Sequence, residues 1–199
     1  MQCSSEILEQ NKFYNGYKHD TTVNNVLAFA PDGKVIHAAI NFPGSWHDST
    51  VCQSLIDLVV EYIGGFCFFV DQGFPRTGLL YDRFVGPISK KARKNLSLLV
   101  RDLILAKSNV FTSLRQAAEW GMRGLQGSFS RLKARLGSNK DQRGLIILSI
   151  LLLHNFRTEY VGLNQIATVF NPHYEQYINL ENYDRIANYF HNFEIIRRF

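Results

Sequence analysis

Cysteine is scarce in this chain, and the few present are badly placed for cross-linking. Cys3, Cys52 and Cys67 are the only three in 199 residues. No two form a C-x-x-C pair and no histidine stands beside them at zinc spacing, so neither a disulfide framework nor a structural zinc site is indicated. A reducing compartment is the resulting expectation. The opening MQCSSEILEQNK has no basic region followed by an apolar stretch, which argues against a secretory signal. Long hydrophobic runs are also lacking. The greasiest, Leu145 to Leu153, contains Ser149, ends at His154 and falls short of the roughly 20 residues of a membrane span, so it reads as a buried helix. No Gly-x-Ser-x-Gly elbow occurs, which removes support for an α/β hydrolase. Internal repeats and low-complexity segments are absent.

What is present is the composition of an ordinary folded protein. Hydrophobic residues make up 46% and charged residues 20%, enough apolar surface for one domain with a core of its own and no signature of disorder. Lys and Arg number 22 against 17 Asp and Glu, a net charge of +5. That balance favours contact with a polyanion, although many enzymes are equally basic.

Along the chain, Val23 to Ala30 and Val35 to Asn41 are short β-branched and apolar runs separated by Pro31-Asp32-Gly33, which predicts a hairpin. Asp48 to Tyr62 carries Val51, Leu55, Leu58, Val59 and Tyr62 at helical spacing, and Gly64-Gly65 stops it. Phe66 to Val70 is wholly apolar, the pattern of a central strand covered on both faces, and it runs directly into Asp71-Gln72-Gly73. Asn109 to Leu136 is a long amphipathic stretch in which Gly121, Gly124 and Gly127 are weak points. Leu145 to Tyr160 is a further helix. The segment from Asn164 onward shows no clear periodicity.

This order implies a mixed α/β sheet flanked by helices, and in such sheets chemistry gathers beyond the strand ends. Asp71 is expected in that place, though a turn with Gln72-Gly73 would explain it as well. Glu119 has Arg115 four residues before and Arg123 four after, the arrangement of a surface ion pair. Together the two carboxylates could converge on Mg²⁺ or Mn²⁺, hard cations suited to carboxylate oxygen. Asp48 is a third candidate for the same cleft, weighed against helix N-capping within Ser45-Trp46-His47-Asp48. His47 beside it could orient a water or touch DNA, against the alternative of a hydrogen-bonded structural histidine. Pro43-Gly44 reads as the turn between strand and helix. Lys90, Lys91, Arg93 and Lys94, with Arg123, Arg131, Lys133 and Arg135, form two basic clusters able to neutralise phosphates. Each cluster alone is equally a solvated face.

Several blocks, kept in order, carry a family resemblance: YNGYKH at Tyr14 to His19, PDG at Pro31 to Gly33, FPGSWHDS at Phe42 to Ser49, VDQGF at Val70 to Phe74, SLRQAAEWGMRGLQGSFSRLK at Ser113 to Lys133, and LLHNF at Leu152 to Phe156. Over Phe13 to Phe156 the chain resembles the DDE endonuclease domain of PIF/Harbinger-type transposases. The resemblance implies a ribonuclease-H-like mixed sheet, a divalent metal cofactor, a DNA substrate and a nuclear location. It also implies three acidic ligands that cleave phosphodiester bonds. Asp71 matches the second acid, in Val-Asp-Gln-Gly-Phe where the family commonly reads Gly-Asp-x-Gly-Tyr. Glu119 matches the third. The first should precede the YNGYKH block, where only Glu6 and Glu9 are found, so the expectation is that the first strand and its aspartate are missing from this chain. On that reading residues 1–160 are an N-terminally incomplete endonuclease domain, weakly active or inactive, and 161–199 a C-terminal tail. Family members commonly take target specificity from a separate Myb-like or helix-turn-helix protein. A non-catalytic DNA- or protein-binding module derived from a transposase is the alternative.

Overall fold

A computed structural model of the chain describes residues 11–61, 67–94, 97–162, 164–170 and 194–197. The predicted hairpin is its backbone. Strands β3 (Val23–Phe29) and β4 (Val35–Pro43) pair antiparallel, preceded by the small ladder of β1 (Tyr14–Asn15) and β2 (Asp20–Thr21). Gly33 takes φ of +85° in the connecting turn, where Ala30 N donates to Lys34 O at 2.9 Å. A side chain bearing Cβ is disfavoured there by its own backbone.

β4 is the strand covered on both faces. Val35, His37, Ala38, Ala39, Ile40 and Asn41 are all buried, and side chains alternate between the two sides as a strand requires. Ala38 and Ile40 pack with Leu125, Ile147, Ile150 and Leu151. Ala39 packs on the other side with Val26, Val51 and Cys52. Asn41 has φ of +68°, a left-handed conformation that asparagine tolerates better than most residues.

The helices follow as α1 (Asp48–Val51), α2 (Gln53–Glu61), α3 (Lys90–Lys94), α4 (Leu98–Ser128) and α5 (Lys140–Val161). The single helix expected from Asp48 is thus two, with Cys52 between them. α4 starts well before Asn109 and runs unbroken through all three glycines, ending at Phe129 and a 3₁₀ turn at Ser130–Leu132. α5 opens on Asn139, whose side chain accepts from Gln142 N at 3.0 Å. It closes on Gly162 in the left-handed region at φ of +68°. By length and composition α5 is long and apolar enough to cross a membrane. Its Ile147, Ile150 and Leu151 face is instead packed against the sheet, while Leu145, Leu152 and Leu153 are exposed. The buried helix expected here is therefore buried along one face.

The expected central strand at Phe66 to Val70 is corrected. Phe66 lies outside the described residues, and of Cys67 to Val70 only Phe68–Phe69 is a strand (β5), pairing parallel with Phe84–Val85 (β6) in a separate two-stranded ladder. A continuous apolar run specifies burial without specifying the partner. Phe68 meets Phe84 edge to face at 6.2 Å, and Phe69 lies on Phe111 of α4 at 5.9 Å. The surrounding core is Leu55, Leu58 and Val59 of α2 with Val70, Leu80 and Phe84. From the C-terminal segment, residues 165–170 are helical and β7 (Glu194–Arg197) joins β4 in parallel, opposite His37 to Ile40. The main sheet therefore reads β3-β4-β7.

Candidate functional site

Five of the six sequence blocks touch another block, the first and fourth each meeting the third, and the second meeting the sixth. Asn15 of the first block donates through Nδ2 to Gly44 O of the third at 2.8 Å. Gly44 cannot be another residue, since a Cβ there would stand 2.2 Å from Thr22 Oγ1. Trp46 N donates to Pro43 O at 3.0 Å, closing the turn expected of Pro43-Gly44. The PDG turn is clamped by α5: Gly33 O lies 3.1 Å from His154 Nε2. Beside it, Asn155 reads both backbone groups of Val35, accepting from its N and donating to its O at 2.8 Å each. Asn155 thereby serves Val35 as a pairing strand would. Gly121 of α4 lets the helix approach β3 closely, because a Cβ there would fall 2.6 Å from the Phe29 ring.

Asp71 lies two residues after β5, beyond Val70, and is exposed. Its Oδ1 accepts from Gln72 N at 2.7 Å, and its backbone O accepts from Phe74 N at 3.2 Å. The turn geometry considered as the alternative is thus present. The turn is also aimed at Asp48: the position of a Cβ on Gly73 is 3.5 Å from Asp48 Oδ2. Asp48 is not the helix cap it was expected to be. It is the first helical residue, the cap position is His47 without a side-chain cap bond, and Asp48 Oδ1 accepts from Asn24 Nδ2 at 3.0 Å. Asn24 also donates to Trp46 O at 2.9 Å, so a strand residue orients the carboxylate. His47 is exposed.

Glu119 lies on α4 with its side chain 46% exposed and paired to Arg115 Nη2 at 2.9 Å. That is the i, i+4 surface pair its spacing predicts, worth a few tenths of a kcal/mol. The contact of Phe69 with Phe111 seats the Asp71 segment on the same helix, eight residues before Glu119, a rise of about 12 Å. Among the described residues no group of three His, Cys, Asp or Glu side chains is disposed to hold a metal ion. Asp71 and Asp48 are therefore brought to neighbouring segments, while Glu119 remains engaged with Arg115.

A cleft of about 480 Å³ has Asp48 in its lining. It is lined by the β1–β2 turn, including Tyr14, Tyr17 and Lys18, and by Trp46 and His47. Of the basic candidates, Lys91, Lys94, Arg123, Arg131, Lys133 and Arg135 are exposed. The side chain of Lys90 lies outside the described residues. Arg93 is half-buried and spends its guanidinium on the fold, donating through Nε to Ile88 O at 3.3 Å and through Nη2 to Ser108 Oγ at 3.2 Å. The Ser108 hydroxyl, fully buried, also accepts from Ile88 N at 3.1 Å, which ties α3 to α4.

Sequence reasoning passed over Asn15, Asn24, Asn155 and Arg143. The first three carry amide side chains in or beside the ordered blocks, and that placement was the available signal. Arg143 is 1% exposed and donates through Nε to Asn41 Oδ1 at 2.6 Å. Its Nη1 donates to Gly137 O and Ser138 O at 3.2 and 3.1 Å. A family model described as DDE superfamily endonuclease matches residues 1–155. No curated protein and no solved structure matches the chain.

Proposed function

The chain belongs to the DDE superfamily endonuclease family, and from that premise we propose that it is a Harbinger-type, transposase-derived endonuclease domain with a ribonuclease-H-like arrangement, acting on DNA phosphodiester bonds. Asp71 and Glu119 are its metal-binding carboxylates, and Asp48 is their neighbour in the same site. The observation that carries the reading is the approach of the Asp71 turn to Asp48 at Gly73. It joins two sequence blocks at a pair of exposed carboxylates. The donor chemistry suits Mg²⁺ or Mn²⁺, which take hard oxygen ligands. The number of donors does not yet make a site, given that no three ligands cluster among the described residues. On the family pattern the first acid stands upstream of Tyr14, and a chain without it cleaves slowly or not at all. Lys91, Lys94, Arg123, Arg131 and Lys133 supply phosphate contacts, with Lys90 and Arg93 in the same segment. Such contacts bind without reading sequence, which is the work of a separate Myb-like or helix-turn-helix partner in the nucleus.

The pairing of Glu119 with Arg115 favours one other reading, a DNA-binding module that keeps the fold without cleavage. Plasmid nicking in Mg²⁺ and Mn²⁺ separates the two. The comparison is between this chain, the chain lengthened by its upstream gene sequence, and the lengthened chain with Asp71→Ala. Metal-dependent nicking that Asp71→Ala abolishes supports the endonuclease. Binding of plasmid without nicking by any version supports the module. Equal nicking with and without Asp71 overturns the site assignment.

A further inference from the structure

The cleft lined by Asp48 is also lined by a stiff turn. Asn15 Oδ1 accepts from both Tyr17 N at 3.0 Å and Lys18 N at 3.1 Å, while its Nδ2 is anchored on Gly44 O at 2.8 Å. Every polar atom of the Asn15 amide side chain is thus used to hold four residues in one conformation. His19 completes the turn at φ of +50°, which costs a non-glycine residue free energy and persists only where the surroundings impose it. Rigid loops commonly display small polar residues. This one displays Tyr17, 94% exposed, with Tyr14 at 46%. Both line the cleft, as do Lys18, Trp46 and His47.

We propose that this cleft is a stacking site for unpaired nucleotides of a DNA strand. Tyr17 supplies the exposed platform, Tyr14 and Trp46 the inner aromatic surface, and Lys18 the phosphate contact. The proposal rests on DNA being the substrate. Proteins that hold single strands combine a cationic contact with aromatic faces on which bases stack, and this works for any base. The volume of about 480 Å³ lies within the range of roughly 300 to 1,000 Å³ typical of sites that enclose a small organic group. A duplex could not use it in the same way, because its bases are stacked on each other and present only edges. Asp48 lines the same cleft, so a strand seated here passes beside its carboxylate.

The stiffness of the turn is part of the argument. An aromatic side chain on a mobile loop loses freedom when it stacks on a base, whereas one on a pre-formed turn loses little. Since Tyr17 is almost wholly exposed, its removal does not disturb the core, and the fold of the variant is not at risk.

The test is fluorescence anisotropy at low salt with the full chain, using a fluorescein-labelled oligothymidine 12-mer and a 12-base-pair duplex. Tyr17→Ala should weaken single-strand binding by about 5- to 150-fold, the equivalent of roughly 1 to 3 kcal/mol of stacking per base. Tyr17→Phe, which keeps the ring, should restore it, and neither variant should alter duplex binding. In a Trp120→Phe background the single strand should quench Trp46 emission. Unchanged single-strand binding by Tyr17→Ala overturns the proposal, as does an equal loss on single strand and duplex. Duplex binding that persists while the single strand fails to bind overturns the stacking site alone. Failure of the unsubstituted chain to bind either DNA overturns both this proposal and the DNA reading on which it rests.

Discussion

Asp48 and Gly73 stand in contact, the Asp48 carboxylate lying 3.5 Å from where a Cβ on residue 73 would begin. That distance is ordinary van der Waals contact, and Gly73 is not among the glycines with positive φ, so the position accepts a side chain. Gly73→Ala should leave Mn²⁺ affinity and the fold unchanged. Gly73→Lys would place an ammonium against Asp48 and compete with a divalent cation for its oxygens. The expected result is at least a tenfold weaker Mn²⁺ affinity by titration, with the urea midpoint preserved. Unchanged affinity in Gly73→Lys would remove Asp48 from the site.

The glycines of α4 differ in what surrounds them. A Cβ at Gly121 would be 2.6 Å from Phe29, whereas one at Gly124 would meet nothing within 4 Å. Gly121→Ala should cost about 1 to 3 kcal/mol by overpacking. Gly124→Ala should stabilise by up to about 1 kcal/mol through helix propensity. Urea unfolding of both variants checks this, and shifts of the same sign would contradict it.

The hairpin, the presence of helices at Asp48, around Gly121 and at Leu145, and the Pro43-Gly44 turn were legible because local chemistry decides them: a PDG turn, apolar residues at helical spacing, and a close approach that only glycine permits. The break at Cys52 and the early start of α4 were not. Phe66 to Val70 misled because an apolar run reports burial and says nothing of which element buries it. The strand that is covered on both faces, β4, contains His37 and Asn41, which disguise it as a half-exposed one. The candidate site was legible as residue types in ordered blocks. Its geometry was not, since the approach of Asp48 to Gly73 and the hold of Asn24 on Asp48 are contacts between segments far apart in sequence. Asn155 shows the same limit. Its bonds to Val35 span 120 positions, and no local pattern announces them.

Arg143 joins α5 to β4 from inside the protein, with its guanidinium also 5.0 Å from the Phe13 ring centroid. Arg143→Met should destabilise by about 3 to 5 kcal/mol, because Asn41 Oδ1 and the carbonyls of Gly137 and Ser138 lose their donor in a buried setting. Arg143→Lys keeps the charge but not the planar fork, and should fall between the two at about 1 to 3 kcal/mol below the parent. Denaturant midpoints give the order. A methionine variant as stable as the parent would show that the buried cation contributes nothing to the fold.

His37 gives the chain a dependence on acid that is separate from any catalytic group. It is 1% exposed on β4, its Nε2 is 3.2 Å from Ser54 Oγ, and its buried Nδ1 has no hydrogen-bond partner among the described residues. Burial pushes its pKa down from 6.5 to about 4, because the charged ring would have to be desolvated. His154 is shifted in the same direction, first by burial and further by Arg157, against the opposing hydrogen bond to Gly33 O. Above pH 6.5 His37 is neutral in both the folded and unfolded chain, and the full stability is present. As pH falls from 6.5 toward 4 the unfolded chain binds protons that the folded chain refuses, so stability is lost across that window and levels off for this group below it. His37 alone should make the protein about 2 kcal/mol less stable at pH 5 than at pH 7.5, a figure that follows from roughly 1.4 kcal/mol per pKa unit. Urea unfolding at the two pH values, repeated with His37→Gln, checks both sign and source. The parent should lose stability on acidification and the variant should lose clearly less. An equal loss in the two proteins would place the acid sensitivity elsewhere, with His154→Gln the next substitution to measure, and a gain in stability at pH 5 would mean that the buried ring is charged in the native state.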